Sequence, residues 1–490
     1  MKKILASLIA LTALLSLVAC STPGNSDSTT AGNGPSGNSS KPVAETTTDP
    51  KYQFEFSETS TEYAGKFVIL NGFSEATTLF TTCSMLGSGD SSADQLDAAI
   101  YRRNIMLSDR YGVEVSEIPC ATNKQYSNFE KEVTSGDASF DMAMINNSNV
   151  PKLATAGYLY DLATIDNISL EKAWYDQSAN EQLRYGKHLY YTYSDMDTTQ
   201  FDAVRCMYFN QSIMDRFGLS TNELYQTAIN GDWTLDKMYE YAKDIYTDDG
   251  NGIVDEGDTF PFVGVPSTSL SALISGADAS YIKMDPKTST PYANFTTESF
   301  IDTYNKILDV MFKDNFFYTG CSKNTQATDM FVSGHSLFLL TTIVSSNTMR
   351  QSMSADFGFL PLPKYNTDQE KYICNAPNPY AICVPYNSQD PERTGFVIEA
   401  MSYLSTDTVR TAYFEVRLYG RTSRDALSWQ TLDLIYSNIA YSVPVQSSVG
   451  FSGTINKMMA ANDRSIAAYI KSVQATVEND IANFIDEVSK

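Results

Sequence analysis

The chain has 490 residues, 58 of them acidic and 35 basic, for a formal charge of −23. That balance argues against nucleic acid or an anionic lipid surface as a partner, and two histidines, His188 and His335, exclude zinc hydrolases built on several imidazoles. The length suffices for two ordinary domains. The six cysteines beyond Cys20 (Cys83, Cys120, Cys206, Cys321, Cys374 and Cys383) contain no C-x-x-C pair, so they read either as disulfide partners or as buried thiols.

The N-terminus reads MKKILASLIALTALLSLVAC. Lys2 and Lys3 precede an apolar run, Ile4 to Ala19, that is too short and wrongly flanked for a spanning helix and has the form of a secretory signal peptide, residues 1–19. Small residues ending on Cys20 resemble a bacterial lipoprotein signal, which implies cleavage before Cys20 and diacylglycerol on its thiol. No other segment reaches the ~18 apolar residues a span needs, so anchoring without spanning is expected. Residues 21 to 50 are almost all Ser, Thr, Gly, Asn, Pro and Asp, too polar to offset chain entropy by burial. With Cys20 they form an expected tether, residues 20–58, about 30 Å long on average.

The globular part starts with KFVILNGF (66–73), a buried strand, then SADQLDAAIYRRNIMLSDRYG, a helix with Leu96, Ile100, Ile105 and Leu107 as its apolar positions and Gly112 as its stop. VEVSEI (113–118) is a second strand. A helix around 128–135 leads to a third, FDMAMIN (140–146). This β-α-β-α-β order predicts an α/β fold with a parallel sheet covered on both faces. Ligands of such sheets sit outside the carboxyl ends of the strands, which directs attention to Ser74 and Glu75, and to Asn146 and Asn147.

A second unit opens with AVRCMYFN (203–210). In GDWTLDKMYEYAKDI, Thr234 is a good N-cap with Asp236 in the first turn. Met238, Tyr241, Ala242 and Ile245 form the apolar stripe, and Trp233 reads as a hydrophobic staple. Further strands are read at FPFVGVP, 335–343, 357–363 and 380–387, with a helix at 300–312. From Ile466 to Val488 apolar residues recur at steps of three and four, a helix that either packs on the body or meets a partner.

Several of these passages together resemble family 1 extracellular solute-binding proteins, the lipoprotein receptors of sugar-type ABC importers: AVRCMYFNQSIMDRFGL with GDWTLDKMYEYAKDI, FVSGHSLFLLTT, FGFLPLPKYNTDQEKY, AICVPYNSQDPERTGFVIEAMSYLS and YGRTSRDALSWQTLDLI, in the family's order from about residue 67 to 435. The last passage resembles a segment frequent in members from anaerobic Gram-positive bacteria. The resemblance implies a two-lobe periplasmic-binding-protein-like (type II) fold: lobe 1 at 59–203 and 381–430, lobe 2 at 204–380, and C-terminal helices, 431–490, packed on the body. It implies crossings near 200–206 and 379–384, ligand held between the lobes, and hinge closure as a population shift. It further implies a monomer on the outer face of the cytoplasmic membrane, delivering a mono- or oligosaccharide to permease subunits. Sugar recognition needs aromatic faces and polar side chains. The fold so implied puts Trp174, Tyr193, Asp195, Asp202 and Thr342 near the cleft, with Trp429 added for its C-terminal position.

Two questions stay open in the sequence. TDDGNGIVDEGDTF (247–260) resembles a calcium loop: with Gly252 at the sharp turn, Asp249, Asn251, the Ile253 carbonyl, Asp255 and Asp258 take ligand positions, while Thr247 replaces the usual leading acid and Asp248 stands beside it. The reading is a structural calcium site at the weak extracellular end, about 10⁻⁴ to 10⁻³ M, against a solvated acidic turn. Function also has alternatives: a surface enzyme acting on glycosides through paired carboxylates, or a calcium-dependent adhesin. No G-x-S-x-G elbow, no P-loop and no G-x-G-x-x-G following a strand accompanies them.

Overall fold

The computed structural model describes residues 49–72, 80–81, 84–90, 94–136, 139–419, 426–443 and 450–488, so Cys20, Ser74, Glu75 and Cys83 lie outside the described residues. In chain order the strands are β1 (Gly65–Asn71), β2 (Val113–Pro119), β3 (Met142–Asn146), β4 (Arg205–Asn210), β5 (Phe260–Val263), β6 (Lys283–Asp285), β7 (Thr290–Tyr292), β8 (Phe317–Tyr318), β9 (Ser336–Thr342), β10 (Phe357–Leu360), β11 (Cys374–Asn375), β12 (Tyr380–Cys383) and β13 (Ile439–Ala440). Two main sheets have the orders β12-β3-β1-β2 and β10-β4-β9-β5-β8.

The parallel sheet expected from the β-α-β-α-β rhythm is present where β1 pairs with β2 and β3, and β5 with β8 and β9. Outside that passage, β12 and β4 run antiparallel to their neighbours. Each of these strands is entered from the other sheet, so the chain arrives at the edge where its parallel neighbours end. Arg205 at the start of β4 therefore pairs with Thr342 at the end of β9, and Tyr380 at the start of β12 pairs with Asn146 at the end of β3. The carboxyl edges of both sheets are brought to the crossings by this arrangement.

Two buried clusters hold the fold. Period-two alternation in β4 assigns Cys206 and Tyr208 to one and Met207 and Phe209 to the other. Both faces of the second sheet are thus covered, as continuous apolar runs require. The first cluster continues through the first sheet. Cys120, Cys206, Cys321, Cys374 and Cys383 are all buried free thiols. Burial pushes the Cys374 thiol up to about 12 and that of Cys321 up to about 11, so they behave as small core groups.

The helix Gln95–Tyr111 begins at Asp94, whose carboxylate accepts from the Leu96 N–H at 3.0 Å, and ends at Gly112 with φ 65°. One expected position is corrected. Ile105 is 43% exposed, whereas Arg103 is fully buried, because steps of three and four from Leu96 pass through Ile100, Arg103, Leu107 and Tyr111. The Arg103 guanidinium donates to the Met85 carbonyl at 2.7 Å and tacks the loop 84–86 onto the helix. The helix Leu235–Ala242 is capped by Thr234, whose hydroxyl accepts from Lys237 N–H at 3.2 Å. Trp233 is fully buried, with its indole N–H on the Pro361 carbonyl at 3.0 Å. The long helix Ile466–Val488 buries Ile470, Val477, Ile481 and Phe484 in the second cluster, and the Val488 carbonyl accepts from the Tyr190 hydroxyl at 2.9 Å. Among the described residues no helix is long and apolar enough to cross a membrane.

Candidate functional site

Where the carboxyl edges meet the crossings there is a cavity of about 170 Å³. Phe80 borders it beside the first sheet. Ala203, Arg205, Pro377 and Asn378 come from the crossing segments, and Thr268, Asn324, Leu340, Thr341 and Thr342 from the second lobe. The lining alternates small apolar surface with hydroxyl and amide groups, a composition suited to a polyhydroxylated solute.

Local chemistry explains why these groups face the cavity. Asn378 sits between two prolines with φ 57°, a left-handed conformation that asparagine tolerates better than most residues. Asn146 holds it there, its amide donating to the Asn378 carbonyl at 2.9 Å, while Asn146 N–H is fixed on Gln125 Oε1 at 2.9 Å. Asp202, buried in the short helix Thr199–Asp202, accepts from Thr81 N–H at 2.5 Å and from the Tyr413 hydroxyl at 2.9 Å. That grip fixes the Phe80–Thr81 segment, and Phe80 packs edge-on against Tyr380 with ring centroids 5.5 Å apart. The Asn347 amide, from the second lobe, donates to Thr81 Oγ1 at 3.2 Å and closes a direct bond between lobes. Thr342 borders the cavity, and its carbonyl accepts from the Tyr208 hydroxyl at 3.0 Å.

Of the residues singled out in the sequence, the structure brings Thr342 to the lining and places Asn146 and Asp202 directly behind it. It does not bring the others. Trp174 is 2% exposed and packs among Phe54 and Tyr403 in the first cluster. Tyr193 is buried with its ring stacked on Tyr441 at 4.6 Å. Asp195 faces the π-helical stretch Thr406–Arg410, accepting from Thr406 Oγ1 at 2.8 Å and lying 3.3 Å from Arg410 Nε. Burial pushes its carboxyl up to about 7 against the pull of Arg410. All three precede the crossing in sequence, but Trp174 and Tyr193 are buried among aromatic rings and Asp195 is held by Thr406 and Arg410. Trp429 is 44% exposed on the helix Ala426–Tyr436 and is not in the lining. Glu75 lies outside the described residues. Sequence reasoning missed Arg205, Asn324 and Asn378. Arg205 carried a signal, a charged residue opening an otherwise apolar strand, and Asn378 another, an asparagine flanked by prolines.

The acidic loop lies at the other end of the second sheet. It feeds the amino end of β5, which pairs with the amino end of β9 at Ser336. Its base is closed by reciprocal bonds between Thr247 and Thr259, at 3.0 and 2.9 Å. Carboxylate oxygens of Asp248, Asp249 and Asp258 lie within 4.8 Å of one another, and Asp258 is buried. The expected set was different in part: the Asn251 side-chain oxygen accepts from Ile253 N–H at 2.6 Å, and Asp255 accepts from Gly257 N–H at 2.8 Å and from the Asn251 amide at 3.1 Å. Three converging carboxylates are a hard, oxygen-only donor set that fits a divalent cation such as calcium.

His188 and His335 serve structure. The His188 ring lies 2.7 Å from Asp161, and the His335 ring 3.2 Å from the Asp258 carbonyl.

Comparison with known proteins places the chain. Among curated proteins a sequence comparison finds no match. Solved structures share its fold. An ABC transporter solute-binding protein from Thermotoga lettingae, bound with α-D-tagatose, aligns with a TM-score of 0.54 at 15% identity over 85% of this chain and all of that one. The galacto-N-biose/lacto-N-biose I-binding protein of a Bifidobacterium longum ABC transporter, in complex with lacto-N-biose, gives 0.56 at 14% identity over 87% and 99%. UspC from M. tuberculosis gives 0.55 at 13% identity over 85% and 100%. At such identities the likeness shows the two-lobed fold. The model of the bacterial extracellular solute-binding protein family matches residues 107–428, well over half of the sequence. The chain belongs to the bacterial extracellular solute-binding proteins.

Proposed function

We propose that the protein is a lipid-anchored receptor that captures a mono- or oligosaccharide between its lobes and delivers it to the permease of an ABC importer. The observation that carries this reading is the cavity at the crossings, where Thr341, Thr342, Asn324 and Asn378 present hydroxyl and amide groups beside Phe80 and Pro377. Neutral donors and acceptors next to small apolar faces suit the alternating character of a sugar ring. Structural relatives solved with tagatose and with lacto-N-biose support it. No carboxylic acid occurs among the described residues lining the cavity, which favours binding without turnover over glycoside cleavage by paired acids. Cys20 carries the anchor in this reading and residues 21–58 the tether, which leaves the body free on the outer face of the cytoplasmic membrane as a monomer. Asp248, Asp249 and Asp258 hold a calcium ion that braces the loop. Any partner that depends on that loop alone, as a calcium-dependent adhesin would, is the second reading.

The test is a thermal-shift screen of the full chain against a sugar panel, followed by calorimetry and product analysis. A rise in melting temperature for particular saccharides with the ligand recovered intact is expected. Product formation, or shifts only for peptides or other solutes, overturns the carbohydrate assignment. Replacing Cys20 by Ser should release the protein into the medium, and retention at the membrane would refute the anchor.

A further inference from the structure

The cavity at the crossings contains one charged side chain, Arg205, and no acid among its described lining residues, in a chain of net charge −23. An arginine so placed ordinarily finds a carboxylate partner. Among the described residues the hydrogen bond it makes is a long one, from Nη1 to the Thr268 carbonyl at 3.4 Å. A guanidinium offers five N–H donors in a planar fork, and among the described residues most of that capacity meets no protein acceptor. Burial pulls Arg205 down to about 10, against the influence of Tyr281 nearby, and it stays cationic in any physiological medium.

Asp202, three residues away, is not in the lining, and its carboxylate is held by Thr81 and Tyr413. Two helices add to the same polarity. Pro266–Gly276 contributes Thr268, and Asn324–Val332 contributes Asn324, each from its first turn, where the helix dipole favours negative charge.

Resting on the carbohydrate reading above, we infer that the ligand is an acidic saccharide, one bearing a carboxylate of the uronic acid type, with that carboxylate received by Arg205 and the sugar hydroxyls by the surrounding amides and threonines. A neutral sugar would offer the guanidinium hydroxyl acceptors alone and leave its charge uncompensated on lobe closure. A carboxylate matches its fork in a two-point contact.

The test is calorimetry on the full chain with disaccharides in matched pairs, each uronate-bearing member against its neutral counterpart, for example digalacturonate against galactobiose, with galactose 1-phosphate as a separate arm. The inference expects an acidic member to bind 10- to 100-fold more tightly than its neutral counterpart, on the order of what one charged hydrogen-bond pair contributes. Raising NaCl should weaken the acidic member and leave the neutral one unchanged. R205Q should remove the preference and R205K restore part of it, with melting temperature reporting that both variants fold; the wild-type comparison decides even if they do not. Neutral members binding as tightly as acidic ones overturns the inference and leaves the carbohydrate reading standing. Binding of the phosphate ester with no uronate bound overturns the carboxylate assignment. Failure of every sugar, acidic or neutral, sinks the carbohydrate reading and this inference with it.

Discussion

The second sheet has two ends of opposite character. At the amino ends of β5 and β9, Asp248, Asp249 and Asp258 draw together. At the carboxyl end of β9, beside the amino end of β4, Arg205 faces a cavity whose described lining has no acid. The strands between are the same apolar residues for both ends. Strand direction therefore decides which loops meet: because β4 is antiparallel, its first residue joins the capture edge, while the loop leading into parallel β5 is sent to the far edge. In the proposed function one edge meets a solute and the other is braced by a cation, so each should be open to change without the other.

The largest effect is expected at the capture edge from Asp202→Ala. It leaves the buried Tyr413 hydroxyl and Thr81 N–H without their acceptor, costing about 3 kcal/mol in chemical denaturation, and it frees the segment that positions Phe80. Ligand affinity should fall along with stability. Unchanged affinity would mean that Phe80 is not held in place through Asp202. At the far edge Asp258→Asn is the counterpart. It should abolish calcium-dependent stabilisation, seen as a melting temperature no longer lowered by EDTA, at a cost of about 1–2 kcal/mol for its bonds to Tyr246 and Asp249. Sugar affinity at the cleft should stay within twofold. If EDTA leaves the wild type unmoved and calorimetry detects no calcium heat, the metal assignment fails.

A third contrast concerns acids buried away from both edges. Burial raises Asp197 and Asp195 to about 7, in both cases mainly by desolvation. The folded chain then holds protons that the unfolded chain, with carboxyls near 4, has already released. Stability from these groups is full below about pH 4 and is lost as pH rises toward 7, with a slope of up to about 1.4 kcal/mol per pH unit for each. Denaturation between pH 5 and 7 should therefore show falling stability, and Asp197→Asn should flatten that slope. An unchanged slope in the variant would show that Asp197 titrates as an ordinary carboxylate.

These contrasts also mark where the sequence was legible. Local signals read well, since their physics is local: the Thr234 cap and the Gly112 stop need only a few neighbouring residues. The recurring apolar step misplaced Ile105 because a buried arginine, Arg103, interrupts a pattern that counts only apolar side chains. The acidic loop was legible as a cation-like loop, yet its converging set includes Asp248 and omits Asp255, a matter of side-chain rotamers that spacing does not fix. The cleft was least legible. Trp174, Tyr193 and Asp195 were near it along the chain but turn inward, and Arg205 reached it only through an antiparallel pairing made with a strand more than a hundred residues later.

The smallest effect is expected at Asn378, and it separates backbone from side chain at the capture edge. Its positive φ makes Asn378→Ala strained by about 1 kcal/mol, whereas Asn378→Gly takes the same conformation without that cost. Both substitutions remove the amide from the cavity while leaving the carbonyl that Asn146 holds. If the amide meets the ligand, the two variants should lose affinity alike, by roughly fivefold for one hydrogen bond, and only the alanine variant should melt lower. Affinity lost in the alanine variant alone would assign Asn378 a backbone role. In that case the polar contacts of the cavity would rest on Arg205, Asn324 and the threonines at the end of β9, which is the side of the cleft that belongs to the second lobe.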